Sequence, residues 1–153
     1  MEIKIKAMKT IIEHALYIHS LLLLKDRRVA SCSEDNTIRI FEPSNDYHCD
    51  QVIKRHSKGI SSICQLDNGT IVSSSYDNSI MIGDFTIKRA HESLIKKVIT
   101  LPNDRIASCS SDYTIKIWNS NPPYSDTPIK VLKGHRNSVT SLLYIKEKDI
   151  WFC

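Results

Sequence analysis

The chain has 153 residues, a single-domain length, with 41% hydrophobic and 25% charged residues, both ordinary for a soluble globular protein. Its formal charge of +4 is too small and too scattered to imply nucleic acid, and no apolar run approaches the roughly 18 residues of a membrane-spanning helix. Disorder, collagen, a disulfide scaffold and a membrane span are thereby excluded. Five cysteines, Cys32, Cys49, Cys64, Cys109 and Cys153, form no CxxC pair, which points to reduced thiols in a cytoplasmic or nuclear setting. Met1–Ile12 lacks the continuous apolar core of a signal peptide, and none of the four glycines builds a GxGxxG or GxxxxGK loop.

Along the chain, the first recurrent block opens at His14 and closes at Phe41 with Ser31-Cys-Ser-Glu-Asp-Asn-Thr-Ile-Arg-Ile-Phe41. Val29–Ser33 and Thr37–Phe41 are β-prone runs, and Ile38 and Ile40 alternate with Arg39 at a period of two. Asp35-Asn36 between them is a turn signal, because an aspartate carboxylate can bond nearby backbone. The second block runs from His56 to Gly83 and contains Ser73-Ser-Ser-Tyr-Asp77. The third runs from His91 to Trp118; its segment Ser108–Trp118 shares seven of eleven residues with the first. In all three copies the aspartate (Asp35, Asp77 or Asp112) follows its histidine by 21 residues, and the register is gapless for 28. A fourth copy starts at His135 and continues with Val139, Leu142 and Ile145. Constant blocks joined by connections of varying length are the signature of a repeat architecture, and every block is β-prone.

Histidine, a first strand, a second strand with Ser-x-Ser, a turn aspartate and a third strand ending in tryptophan together resemble the WD40 repeat. The third copy fits best; Phe41 and Gly83 replace the tryptophan in the first two, and the Gly-His dipeptide occurs only at Gly134-His135. The resemblance implies an all-β fold, a WD40-type β-propeller fragment of three complete four-stranded blades plus flanking strands. Its expected divisions are an outer strand over 1–13, blades over 16–55, 60–90 and 94–133, and an incomplete blade over 139–153. Since about 40 to 45 residues form a blade, the expectation is part of a larger propeller; a four-blade ring closed by the two ends is the alternative.

Histidine, serine and aspartate recurring together are also the residues of a hydrolytic triad, with His91, Ser110 and Asp112 the obvious set. Three such sets and no GxSxG elbow favour a structural role instead. In the resembled family these residues join a buried network, which would comprise His14, Asp35, His56, Asp77, His91, Ser110, Asp112, Trp118 and His135. Leaving such a group unpaired costs about 1–3 kcal/mol, reason enough for the recurrence. His48 and Cys49 lack the spacing of a metal site, and neither a metal nor a cofactor is expected. Lys25–Arg28 and the lysines between 130 and 148 are expected at solvated turns and strand edges. Asn121–Pro128 is a loop between the third blade's outer strands.

The resemblance implies a binding platform whose contacts gather on the face carrying the histidine and aspartate turns. Carried onto this chain, the exposed positions there are Tyr17, His19 and Glu34; Gly59, Ser61 and Tyr76; Leu94, Lys96 and Ser111; and Ser138 and Thr140. Tyr17, Tyr76, Leu94 and Lys96 are the expected anchors. The partners are other proteins or peptides, with no membrane or nucleic acid and with self-association through exposed blade faces. A small propeller hydrolase and a non-functional truncated fragment are the competing readings.

Overall fold

The computed structural model describes residues 9–145 and 150–152; residues 1–8, 146–149 and 153 lie outside the description. Three four-stranded antiparallel sheets follow one another along the chain, each in simple up-and-down order. The first contains β1 (Ile18–Leu23), β2 (Val29–Ser33), β3 (Ile38–Glu42) and β4 (His48–Ile53). The second contains β5 (Ile60–Gln65), β6 (Ile71–Ser75), β7 (Ile80–Ile82) and β8 (Phe85–Ile87). The third contains β9 (Ile95–Leu101), β10 (Arg105–Ser110), β11 (Ile115–Asn119) and β12 (Lys130–Leu132). A last hairpin pairs β13 (Leu143–Ile145) with β14 (Ile150–Phe152). The fold is all-β, three propeller blades and a further strand pair.

The hairpins form where the sequence supplies turn chemistry. Between the second and third strands of each blade, Asn36, Asn78 and Tyr113 adopt positive φ of 69°, 66° and 68°. Asparagine visits that region at little cost, whereas a tyrosine there carries strain. The outermost connection of the second blade is a tight turn through Gly83 and Asp84. Gly83 sits at φ +53°, and its N–H bonds Ile71 O at 3.0 Å.

Packing lies between the blades. Ile63 and Ile60 of the second blade meet Leu24, Ala30, Cys32, Ile38 and Ile40 of the first. Leu66, Val72, Ile80, Ile82 and Ile87 meet Ile106 and Trp118 of the third. Each fully buried isoleucine is worth about 1.5–3 kcal/mol, so the interfaces rather than single blades hold the molecule together. The third blade's other face is covered by Val139 and Leu142, the fourth copy's counterparts of Ile95 and Val98. Among the described residues, no second sheet covers the first blade's other face. Residues 9–13, the described part of the expected outer strand, carry no strand; the remainder of that expectation falls outside the described residues.

Candidate functional site

Each blade carries the same hydrogen-bonded set. In the third, His91 Nδ1 lies 2.8 Å from Asp112 Oδ2 and Nε2 lies 2.7 Å from Ser108 Oγ. Trp118 Nε1 donates to that same Ser108 oxygen at 2.9 Å. A single donor order satisfies the chain: indole N–H to serine, serine O–H to Nε2, and Nδ1–H to carboxylate. That order requires a neutral imidazole. Burial holds His91 below its ordinary value, overriding the opposing pull of the Asp112 carboxylate.

The first blade repeats the geometry with His14 to Asp35 at 2.8 Å and to Ser31 at 2.6 Å. The second does so with His56 to Asp77 at 3.1 Å and to Ser73 at 2.9 Å. The aspartates also organise backbone. Asp112 accepts from Glu92 N at 3.1 Å and Thr114 N at 2.9 Å; Asp35 and Asp77 accept from the equivalent Ala15 and Thr37, and Ser57 and Ser79. Burial disfavours ionising these carboxyls, but the donated hydrogen bonds outweigh it and hold all three below the usual range.

Two members of the expected network differ. Ser110 does not touch the histidine: its Oγ donates to Ser93 O and accepts from Asp112 N, bracing the turn. The serine on the imidazole is two residues earlier, Ser108, at the far end of the Ser-x-Ser pair. The same applies to Ser31 and Ser73. Both serines stand on one face of β10, but Ser108, opposite Val98, is level with the imidazole, whereas Ser110 ends the strand beside the Asp112 turn. Thr37, Ser79 and Thr114, whose hydroxyls bond the aspartates, stand outside the expected network. His135 is exposed, unlike the buried His56 and His91.

Aspartate on Nδ1 and serine on Nε2 is also the order of a hydrolytic triad. Ser108 is 0% exposed and Ser31 and Ser73 are 1% and 3%, and each hydroxyl is hydrogen-bonded to its histidine, so none of the three is displayed as a surface nucleophile. Among the described residues, no group of three His, Cys, Asp or Glu side chains could hold a metal. Cys49 contacts Gln51 O rather than His48.

The positions expected on the binding face do meet. In each blade the backbone N–H of the residue before the aspartate bonds the carbonyl three after the histidine. These are Glu34 to Tyr17, Tyr76 to Gly59 and Ser111 to Leu94, each at 2.9 Å. A β-bulge stands beside each pair, where Ile18/Ser20, Ile60/Ser62 and Cys109/Ser110 shift register. The residue displaced from the ladder is His19, Ser61 or Lys96. A bulge re-aims its side chain, and two of the three point across to the neighbouring blade. His19 packs edge-on against Tyr76 with ring centroids 5.5 Å apart, and Lys96 Nζ lies 5.3 Å from the same ring. One ridge, His19–Tyr76–Lys96, thus crosses all three blades. Tyr17 is 77% exposed beside it, and Leu94 and Thr140 are exposed as well. Ser111 and Ser138 share a hydroxyl contact at 2.9 Å.

Gly59 and Ser61 depart from the expected exposure: both are buried. Ser61 Oγ turns inward to Ser74, and Glu34 and Tyr76 close over Gly59. The tyrosine and the glutamate therefore carry the surface of the second blade. Burial first, and then the Glu34 carboxylate, push the Tyr76 phenol up, keeping it a neutral donor.

Three successive blades, each tied by the same histidine, serine and aspartate, define a repeat protein of the β-propeller class. The WD domain, G-beta repeat profile matches residues 5–42, 47–84 and 85–119, and the chain belongs to the WD40-repeat family. It is 35% identical over 98 residues to apoptotic protease-activating factor 1 of Mus musculus, covering 60% of this chain and 8% of that protein. To nuclear distribution protein PAC1 of Yarrowia lipolytica it is 30% identical over 121 residues, 76% of this chain and 23% of the relative. To a ribosome biogenesis protein WDR12 homolog of Nematostella vectensis it is 25% identical over 152 residues, 90% of this chain and 35% of the relative. The chain thus spans 8% to 35% of these relatives' lengths.

Proposed function

We propose that this chain is a non-catalytic WD40-repeat scaffold that binds other proteins or peptides through its histidine-side face, in the cytoplasm or nucleus. The carrying observation is the ridge of His19, Tyr76 and Lys96 with Tyr17 beside it. It offers an aromatic ring, a cation and an exposed tyrosine across three blades, and aromatic anchors dominate interface energies. The histidine–serine–aspartate sets support the same reading, since their polar atoms are taken up by internal hydrogen bonds. Family membership agrees, because WD40 repeats generally serve as interaction scaffolds.

The test is a peptide selected from a random display library on the full chain. Tyr76→Ala and Lys96→Ala should each weaken it at least tenfold without moving the melting temperature. A peptide indifferent to both, but lost on Pro122→Ala or Tyr124→Ala, would place recognition on the opposite side. Turnover of an ester or glycoside panel that disappears in Ser108→Ala, with folding retained, would replace the scaffold by a hydrolase.

A further inference from the structure

The second blade lacks one side chain that the third possesses, and a cavity stands in its place. Trp118 pairs with Ile106 and faces the blade before it, where it is 1% exposed and gives its indole N–H to Ser108. The corresponding pair in the second blade is Gly83 and Ile71, joined by Gly83 N to Ile71 O. Facing the first blade from there is a cavity of about 570 Å³ lined by Gly83, Ile71, Ser73 and Met81 on one wall and Ile38, Ile40 and Ile53 on the other. That size lies within the roughly 300–1,000 Å³ of ligand sites.

Its two walls are apolar: Ile38, Ile40, Ile53, Ile71 and Met81 line it, and Ile38, Ile40 and Met81 are at most 9% exposed; Gln51, Gln65 and Thr70 add neutral polar groups. Ser73, 3% exposed, is the counterpart of Ser108 and lies 2.9 Å from His56 Nε2, as Ser108 lies 2.7 Å from His91 Nε2. Its acceptor lone pairs receive no indole N–H. Around the mouth, Arg55 is held by Asp84 at 2.7 Å, Arg28 by Asp26 at 2.8 Å, and Lys25 by Asp67 at 2.9 Å. With the rim charges paired among themselves, the pocket suits a neutral ring with one donor.

We propose that this cavity binds the indole ring of a tryptophan presented by a partner peptide, with Ser73 Oγ accepting the N–H. The second blade then obtains from outside the ring that the third supplies for itself. The site is separate from the His19–Tyr76–Lys96 ridge and stands or falls independently of it.

Fluorine NMR on the full chain tests this with 5-fluoroindole, 5-fluorobenzothiophene and an acetylated Gly-Trp-Gly amide carrying 5-fluorotryptophan. Fluoroindole and the peptide should bind and compete with each other, and the benzothiophene, which has no N–H, should bind about tenfold more weakly. Met81→Trp, or Ile53→Trp from the facing wall if the first variant does not fold, should fill the cavity and abolish binding. Absence of fluoroindole binding at millimolar concentration, or binding unchanged in a folded filled variant, would overturn the site. Equal affinities of indole and benzothiophene would overturn the role of Ser73. Fluoroindole binding without peptide binding would overturn the partner peptide in favour of a free small molecule.

Discussion

At the scale of single residues, the donor order from tryptophan to aspartate sets what each blade loses when one member is removed. Asp112 closes a four-member chain through His91, Ser108 and Trp118, whereas Asp77 closes one that ends at Ser73. Asp112→Ala should therefore destabilise more than Asp77→Ala, by about 1–2 kcal/mol, because it orphans a longer buried network. Chemical denaturation of the two variants measures this, and equal midpoints would contradict it. Tyr113 is the reverse case. It holds φ 68° at a position filled by asparagine in the other blades, and its side chain is 48% exposed. Tyr113→Asn should raise stability by about 0.5–1 kcal/mol, since relief of left-handed strain outweighs the modest burial of a half-exposed ring. The neutral His91 sets a pH dependence as well. Its folded value is depressed, so its contribution is complete above the unfolded value near 6.5 and is lost as pH falls below it. The aspartates, likewise depressed, add their loss below about 3.9. Melting temperature should decline from pH 7 to 5 and more steeply under pH 4; a flat profile down to pH 4 would refute the neutral histidine.

At the scale of strands and turns, the second and third strands of the first and third blades were legible in the sequence. Val29–Ser33, Thr37–Phe41, Ile106–Ser110 and Thr114–Trp118 combine β-prone residues with a turn aspartate between each pair, and the later strand of each pair alternates as well, starting in the structure at Ile38 and Ile115. The histidine–aspartate pairs were equally legible from their constant spacing. What escaped was which serine meets the imidazole, because the two serines of each pair share one strand face and residue type does not say which of them is level with the ring. The bulges themselves at His19, Ser61 and Lys96 left no residue-type signal, yet they place the ridge. The shortness of β7 and β8 was likewise hidden, though Gly83 in the tryptophan column was the visible cause of the cavity that accompanies it. Trp118→Phe keeps an aromatic ring but removes the donor to Ser108 together with part of the buried ring volume. The expected loss is about 1–2 kcal/mol in chemical denaturation.

At the scale of the whole molecule, two inter-blade interfaces are packed, the first of them around the cavity beside Gly83, and among the described residues one sheet face is left uncovered. Leu21 and Ile18 on the first blade are 68% and 50% exposed, beside a shallow apolar groove that Val29 and Phe41 also line. A bare blade face of that kind promotes association, and its edge can pair with other strands. The isolated 153-residue chain should thus sediment as a dimer or larger species at micromolar concentration, and Leu21→Lys should shift it toward monomer. A monomeric wild type that melts cooperatively would contradict this and favour a ring closed within one chain. The proposed function rests on the opposite kind of surface, the polar and aromatic ridge beside the bulges. The most direct measurement is therefore chemical-shift mapping of the full chain, or of its Leu21→Lys variant, with a library-selected peptide. The account predicts the largest backbone and side-chain changes at His19, Tyr76, Lys96 and Tyr17. Changes centred on the Asn121–Pro128 loop, with those four residues silent, would contradict it.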